Sequence, residues 1–353
     1  MTIQLAGPWT SERRFLAACR REPADATPIW FMRQAGRCLP DYRAMRERHS
    51  VLEIATTPEL CAEVSLMPVA ELDVDAAVMF ADIMLPLRPM GVELELTLDG
   101  PVIARPIRTA ADVARLRTIE PAEDVGFLLE AIRLVRHELD GRRAVVGIAG
   151  GPFTLAGYLI EGGASRDFVR TRTLMHADPA TFERLLALLA EVVADYLIAQ
   201  ADAGAQVLQL FDSWVGAIGP ADYATSVAPH VRRIFEKLRT ARPDVPTIHF
   251  AAASGALLGS MAEAGGDVIG VDHRTSLAAA WATIGPDRAI QGNLDAARLL
   301  AGWESTRAGA DAVLAEAGGR PGHLFNLGHG IAGETDPGIL AALVHHVRER
   351  SQR

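Results

Sequence analysis

The stretch Pro-Ile-Trp-Phe-Met-Arg-Gln-Ala-Gly-Arg, residues 28–37, decides how the chain is read. A short apolar run, residues 29–32, stops abruptly at Arg33, with Gln34, Gly36 and Arg37 close behind. Strand-forming residues feeding two arginines across a glycine describe a buried strand whose exit carries cationic groups into a cleft. Pro40 then blocks continuation from upstream, and Asp41 is placed to cap a helix bearing Arg43, Arg46 and Arg48. Arginine serves better than lysine where planar carboxylates are gripped by paired donors. The plain alternative is a solvated, charge-rich loop, and the pattern alone names no ligand.

Outward from this stretch the same unit recurs. Near-continuous apolar runs ending in polar or small residues lie at 76–80, 144–148, 206–211, 247–250, 268–271, 289–292 and 324–327. Such runs suit strands buried on both faces by connecting helices. Helical stretches fall between them, among them 11–20 before the first strand, 122–139, 223–238, 277–284 and 336–348. Residues 165–203 hold more than one helix, interrupted near Asp178-Pro179. Residues 91–107 differ: Val92, Leu94, Leu96 and Leu98 alternate before Asp99-Gly100, the pattern of a hairpin. The strand–helix units predict an α/β fold, a single (β/α)8 TIM-type barrel spanning residues 1–353, with an extra β-hairpin after strand 2. An open, doubly wound α/β sheet is the alternative.

Composition narrows the function. The chain is 49% apolar and 22% charged, ordinary globular usage. Its 44 acidic against 35 basic residues give a net charge of −9, which argues against a generic nucleic-acid or anionic-membrane binder. A local arginine cluster can still focus positive potential for a polyanionic ligand. Three cysteines, Cys19, Cys38 and Cys61, form an odd, sparse set that suits a reducing compartment. The N-terminus has no apolar secretory core, and the run at 185–199 is broken by Glu191 and Asp195, so neither reads as a signal peptide or membrane span.

In a barrel, chemistry collects at the carboxyl ends of the strands. The first strand delivers Arg33 and Arg37, and the second delivers Asp82 inside the apolar Val-Met-Phe-Ala-Asp-Ile-Met. An acid so placed must be hydrogen-bonded or functional to offset its desolvation. The third exits through Gly147-Ile-Ala-Gly-Gly-Pro-Phe-Thr, which lacks the spacing of a dinucleotide fingerprint. Tyr158 is expected on the loop beyond it, either as a packed ring or as a functional hydroxyl. The fourth leads into Phe211-Asp-Ser-Trp, where Ser213 has no nucleophile elbow around it and reads as a hydrogen-bonding group or a turn cap. The eighth gives Asn326-Leu-Gly-His-Gly, with His329 framed by glycines. No compact His/Cys set has zinc-site spacing, and no phosphate loop or nucleic-acid motif is present.

Several of these motifs, in this order, resemble the uroporphyrinogen decarboxylase family across residues 10–348. They are Met32-Arg-Gln-Ala-Gly-Arg, Phe80-Ala-Asp-Ile, Gly150-Gly-Pro-Phe-Thr, Tyr158-Leu-Ile-Glu-Gly-Gly, Gln209-Leu-Phe-Asp-Ser and Asn326-Leu-Gly-His-Gly. The resemblance implies a cytoplasmic homodimer that decarboxylates the four acetate side chains of uroporphyrinogen III to give coproporphyrinogen III, in heme and related tetrapyrrole synthesis. It implies no metal and no organic cofactor. Arg33 and Arg37 match the family's carboxylate-binding arginines, and Arg46 another arginine near the cleft. Asp82 matches the acid that faces the central pyrrole N–H groups. Tyr158, Ser213 and His329 match residues contacting substrate carboxylates, and Phe211 an aromatic wall residue. Asp82 and Arg37 are thus the expected catalytic pair, with Arg37 one of several conceivable proton donors. Departures occur at 249–255 and at His273, where many relatives carry tryptophan. Two other readings are a non-catalytic tetrapyrrole binder and the family's zinc-dependent methyltransferase branch, against which the missing late cysteines count.

Overall fold

The computed structural model describes residues 9–97 and 100–353. Its strands are β1 (Ala76–Val78), β2 (Leu94–Thr97), β3 (Gly100–Ile103), β4 (Ala144–Gly150), β5 (Val207–Phe211), β6 (Thr247–Phe250), β7 (Val268–Gly270), β8 (Ala289–Gln291) and β9 (His323–Leu324). All but β2 and β3 form one seven-stranded parallel sheet in the order β1-β4-β5-β6-β7-β8-β9. Strands joined through helices and adjacent in chain order are what right-handed βαβ crossovers produce. The sheet curls, as a (β/α) barrel requires. The hairpin stands apart, with Leu94 opposite Ile103 and Thr97 opposite Gly100. Its expected turn includes Asp99, which lies outside the described residues.

The first apolar run corrects the sequence reading. Residues 29–32 make no ladder; the only strand-like pairing there is an isolated parallel bridge from Ile29 to Phe325. The segment still reaches both edges of the sheet. Phe325 N donates to Pro28 O at 2.8 Å, Trp30 N to Phe325 O at 3.3 Å, and Asp75 N to Ile29 O at 2.8 Å. Buried side chains take the amides that a ladder would have used. Ile29 N donates to Asp75 Oδ2 at 2.8 Å, Phe31 N to Gln34 Oε1 at 3.0 Å and Met32 N to Asn326 Oδ1 at 3.0 Å. Gln34 Nε2 in turn donates to Ala76 O at 2.8 Å. Every buried amide is satisfied, and the strand geometry is given up where the chain must turn into the cleft.

Alternate residues face the barrel interior. Val78, Val146, Ile148, Val207, Ile248, Phe250, Val268 and Leu324 pack there with Trp30 and Met32. The helix Ser11–Cys19 closes the far end, capped by Thr10, whose side chain accepts from Arg13 N. It inserts Phe15, Ala18 and Cys19 into the interior cluster, and full burial of Phe15 stabilises the plug by roughly 2–3 kcal/mol. Across the middle, Trp30 Nε1 donates to Gln291 Oε1 at 3.0 Å and Gln291 Nε2 to Gln209 Oε1 at 3.1 Å. This polar cross-link ties the first run to β5 and β8 directly beneath the strand exits.

Other local expectations resolve simply. The helix after Pro40 is Pro40–Arg46, but its N-cap is Leu39 with no side-chain bond, and Asp41 sits in the first turn. Asp41 therefore acts by favouring the positive end of the helix, and it is not the cap. The break near Asp178 separates Val169–Ala177 from Pro179–Asp202, and Asp178 Oδ1 accepts Thr181 N at 3.1 Å. The helical stretch at 122–139 is two helices, Pro121–Asp124 and Gly126–Leu139.

Candidate active site

A cavity of about 700 Å³ opens at the carboxyl ends of the strands. Its wall brings together Arg33, Arg37, Asp82, Tyr158, Phe211, Ser213 and His329, residues drawn from nearly the whole length of the chain. Arg46 is not in this wall; its guanidinium is spent on the backbone carbonyl of His49. The wall also includes aromatic residues that the sequence reading did not single out, Trp30, Trp214 and Phe250.

Arg33 follows the first run with φ +60°, in the left-handed region where a side chain is strained. The bonds of Gln34 and Asn326 on either side of it hold that conformation. Gly330 makes room for its stem, since a Cβ there would lie 2.5 Å from Arg33 Cδ. A Cβ at Gly333 would lie 3.2 Å from Arg37 Cβ. Gly330 and Gly333 thus admit close approach of the arginine loop. Among the described residues neither arginine makes an ion pair with a protein acid, which leaves both guanidinium groups to a ligand.

Asp82 lies in the turn after β1, partly buried. Met84 N donates to its Oδ1 at 2.8 Å, the only hydrogen bond its carboxylate takes among the described residues. Burial raises its pKa above the ordinary value; the Met84 N–H and the Arg33 charge pull it back down. A carboxylate in the cavity wall with one oxygen anchored keeps acceptor capacity for N–H groups of a ligand.

Tyr158 does not lie on a loop. It sits in the helix Pro152–Glu161, whose N-terminus begins at the exit of β4. Its ring meets Trp214 edge-on, centroids 6.4 Å apart. Burial raises the pKa of its phenol and the nearby Asp82 charge adds to the effect, so the hydroxyl stays protonated and can donate. His329 has its pKa lowered by partial desolvation first and by the Arg33 charge second.

A residue that sequence reasoning passed over organises the opposite wall. Asp212 is fully buried at the end of β5, between the cavity residues Phe211 and Ser213. Its Oδ1 accepts Thr154 N at 3.2 Å and Thr154 Oγ1 at 2.9 Å, and Thr154 Oγ1 accepts Trp214 N at 3.2 Å. A Cβ at Gly151 would come within 2.5 Å of the Asp212 carboxyl carbon, so that glycine is a packing requirement. Burial pushes the Asp212 carboxyl up to about 6. Asp212 thereby latches the Tyr158 helix to the Ser213 loop. The Gly-Gly-Pro-Phe-Thr and Phe-Asp-Ser motifs carried both partners, but nothing in one dimension pairs them.

A parallel α/β barrel with an arginine-bearing cleft at its strand exits has the architecture of an enzyme whose loops supply the chemistry. The chain matches the sequence profile described as uroporphyrinogen decarboxylase (URO-D) over residues 10–350. It is 52% identical over 342 residues to a uroporphyrinogen decarboxylase of Sorangium cellulosum, covering 96% of this chain and 97% of the relative. It is 50% identical over 345 residues to one of Streptomyces coelicolor, covering 98% and 96%. Among solved structures, a methyltransferase from Methanosarcina mazei superposes with a TM-score of 0.77 at 20% identity, covering 97% of this chain and 99% of that one. At that identity the likeness is one of fold alone. The chain belongs to the uroporphyrinogen decarboxylase family. It decarboxylates the acetate side chains of uroporphyrinogen III to give coproporphyrinogen III, a step in porphyrin synthesis. Among the described residues no three His, Cys, Asp or Glu side chains are grouped to hold a metal ion, and no helix is long and apolar enough to cross a membrane.

Proposed function

We propose that Asp82 is the electrostatic centre of the decarboxylation and that Arg33, Arg37, Tyr158, Ser213 and His329 hold the substrate's carboxylates around it, with Phe211 as an aromatic wall. The observation that carries this reading is the convergence of a singly anchored carboxylate with two acid-free arginines in one cavity.

The chemistry asks for this arrangement. Protonation of a pyrrole at the ring carbon adjacent to the one bearing the acetate makes the ring an electron sink. The C–C bond to the carboxylate then breaks, CO₂ leaves, and the bonding pair flows into the ring. A second proton converts the exocyclic methylene to methyl, and loss of the first restores the pyrrole. The protein must stabilise a positive ring, and an anion accepting the pyrrole N–H groups does so as charge develops. Asp82 serves that role and not proton delivery to carbon. Arg37 orients a carboxylate and is a conceivable donor only with assistance, because its basicity makes unaided transfer costly. Arg46 belongs at most to the approach to the cleft, given its bond to His49.

The same reading takes the chain as one barrel domain working as a cytoplasmic homodimer without metal or organic cofactor, since the substrate supplies its own electron sink. Exhaustively dialysed, chelator-treated protein should convert enzymatically generated uroporphyrinogen III under anaerobic conditions, with products separated by carboxylate number after oxidation. A rate restored only by zinc would end the cofactor-free reading. Binding without CO₂ release would favour a tetrapyrrole-binding protein. Sedimentation of the purified chain tests the dimer, and a concentration-independent monomer mass would remove it.

A further inference from the structure

The loop that carries His329 touches a second segment, one that bears His273 and Arg274. A Cβ at Gly328 would overlap the backbone nitrogen of His273 and come within 2.8 Å of its Cβ. Thus the loop residues Gly328, Gly330 and Gly333 are closely approached by His273, Arg33 and Arg37 in turn, and His329 stands between the first two. The arginine side of this arc lines the cavity; His273 and Arg274 stand outside its wall, exposed at the exit of β7. The charges of His273 and Arg274 reach the His329 ring, where they add to the effect of Arg33.

The second segment is rigidly built. Buried Asp272 accepts Ala253 N at 2.6 Å through Oδ2 and Arg274 N at 3.1 Å through Oδ1. Asn293 Nδ2 donates to Asp272 O at 2.8 Å and to Thr275 O at 2.7 Å. Arg274 keeps one long contact, Nη1 to Asp272 Oδ2 at 3.4 Å, with 61% of its side chain exposed. Among the described residues His273 makes no ion pair. A held loop presenting an imidazole and a largely uncommitted guanidinium, on a protein of net charge −9, favours an anionic ligand.

We propose that His273 and Arg274 form a rim subsite for an outward-pointing carboxylate of the tetrapyrrole, continuous with the Arg37–Arg33–His329 arc. The inference rests on the decarboxylase reading for the identity of the ligand. The substrate carries more carboxylates than the cavity wall has cations. His329 links cavity and rim, lining the cavity while its neighbour Gly328 packs against His273. The subsite contributes to binding and leaves the bond-breaking step to the cavity.

Stopped-flow quenching of tryptophan fluorescence by uroporphyrinogen III, recorded before turnover, reads binding in H273Q, R274Q and the double variant, with Trp30 and Trp214 in the wall as reporters. The double variant should bind roughly 3- to 10-fold more weakly, the order for exposed charged contacts. Its KM should rise by a similar factor while kcat stays within about twofold. Its salt dependence should also be shallower than the wild type's. R239Q, on the distant helix Ala228–Ala241, is the control for net charge. Binding and salt slope equal to those of R239Q would overturn the subsite, as would a fall in kcat with KM unchanged. R274Q alone tests the idea if changing His273 disturbs the loop. Absence of CO₂ release by the wild type would strike the decarboxylase reading, and the binding arm would still decide the subsite.

Discussion

Asn326 Oδ1 accepts the Met32 amide N–H at 3.0 Å, joining segments from opposite ends of the chain at the base of the cleft. The same oxygen accepts Leu327 N at 2.8 Å. One buried amide therefore holds both the loop that carries Arg33 and the loop that carries His329.

Asn326→Ala should leave two buried N–H groups without an acceptor, at a cost of about 1–3 kcal/mol each. Chemical denaturation should report that loss. In the folded protein kcat/KM should fall by at least about tenfold, because small misplacements of orienting groups are costly. Normal kcat/KM in a destabilised variant would restrict Asn326 to a purely structural part.

Asp82→Asn keeps the shape and removes the charge that the proposed mechanism sets opposite the protonated pyrrole. Single-turnover decarboxylation at saturating substrate should slow by about 10²–10³-fold, with direct binding changed far less. Burial raises the Asp82 pKa, so the acidic limb of the wild-type pH profile should lie above the ordinary aspartate range. That limb should disappear in D82N. Near-normal chemistry in folded D82N would remove Asp82 from catalysis.

Arg37→Lys supplies the contrast. Charge remains, but the planar two-donor grip is lost, so KM should rise more than kcat falls. Steady-state kinetics separate the two, and an unchanged KM would mean that Arg37 does not grip a carboxylate.

Stability should fall on acidification through two buried histidines. Desolvation holds His249 and His323 down to about 4, against an ordinary 6.5. Each is neutral when folded, so its contribution is present above pH 6.5 and is lost as pH falls toward 4, by up to about 3 kcal/mol. His249 packs against Phe235, ring centroids 5.3 Å apart, with no well-formed hydrogen bond to either ring nitrogen. Denaturation of His249→Leu between pH 7 and pH 4.5 should show a shallower loss than wild type. Parallel curves would mean that His249 stays neutral in both states or titrates freely.

The barrel was legible in the sequence because strands buried on both faces must be apolar throughout. The run at β4 declares itself in that way, and those at β5 and β6 do so around the buried polar side chains Gln209 and His249. The exit residues followed from the same logic: Arg33, Asp82, Ser213 and His329 each interrupt or terminate an apolar run, and desolvation makes a polar residue there conspicuous. The family motifs then gave these residues roles that periodicity alone could not.

Tertiary contacts decided the rest. Residues 29–32 have strand composition, yet their amides bond to Asp75, Gln34 and Asn326, and only the fold brings Asp75 and Asn326 within reach. Tyr158 reaches the cavity from a helix because Asp212, far away in sequence, binds Thr154 at that helix's first turn. The alternation of apolar and polar residues is set by local geometry and by transfer from water, both written along the chain. Which hydrogen-bond partner a buried group such as Asp212 or Asn326 finds depends on segments far apart in sequence, and only their packing in three dimensions selects it.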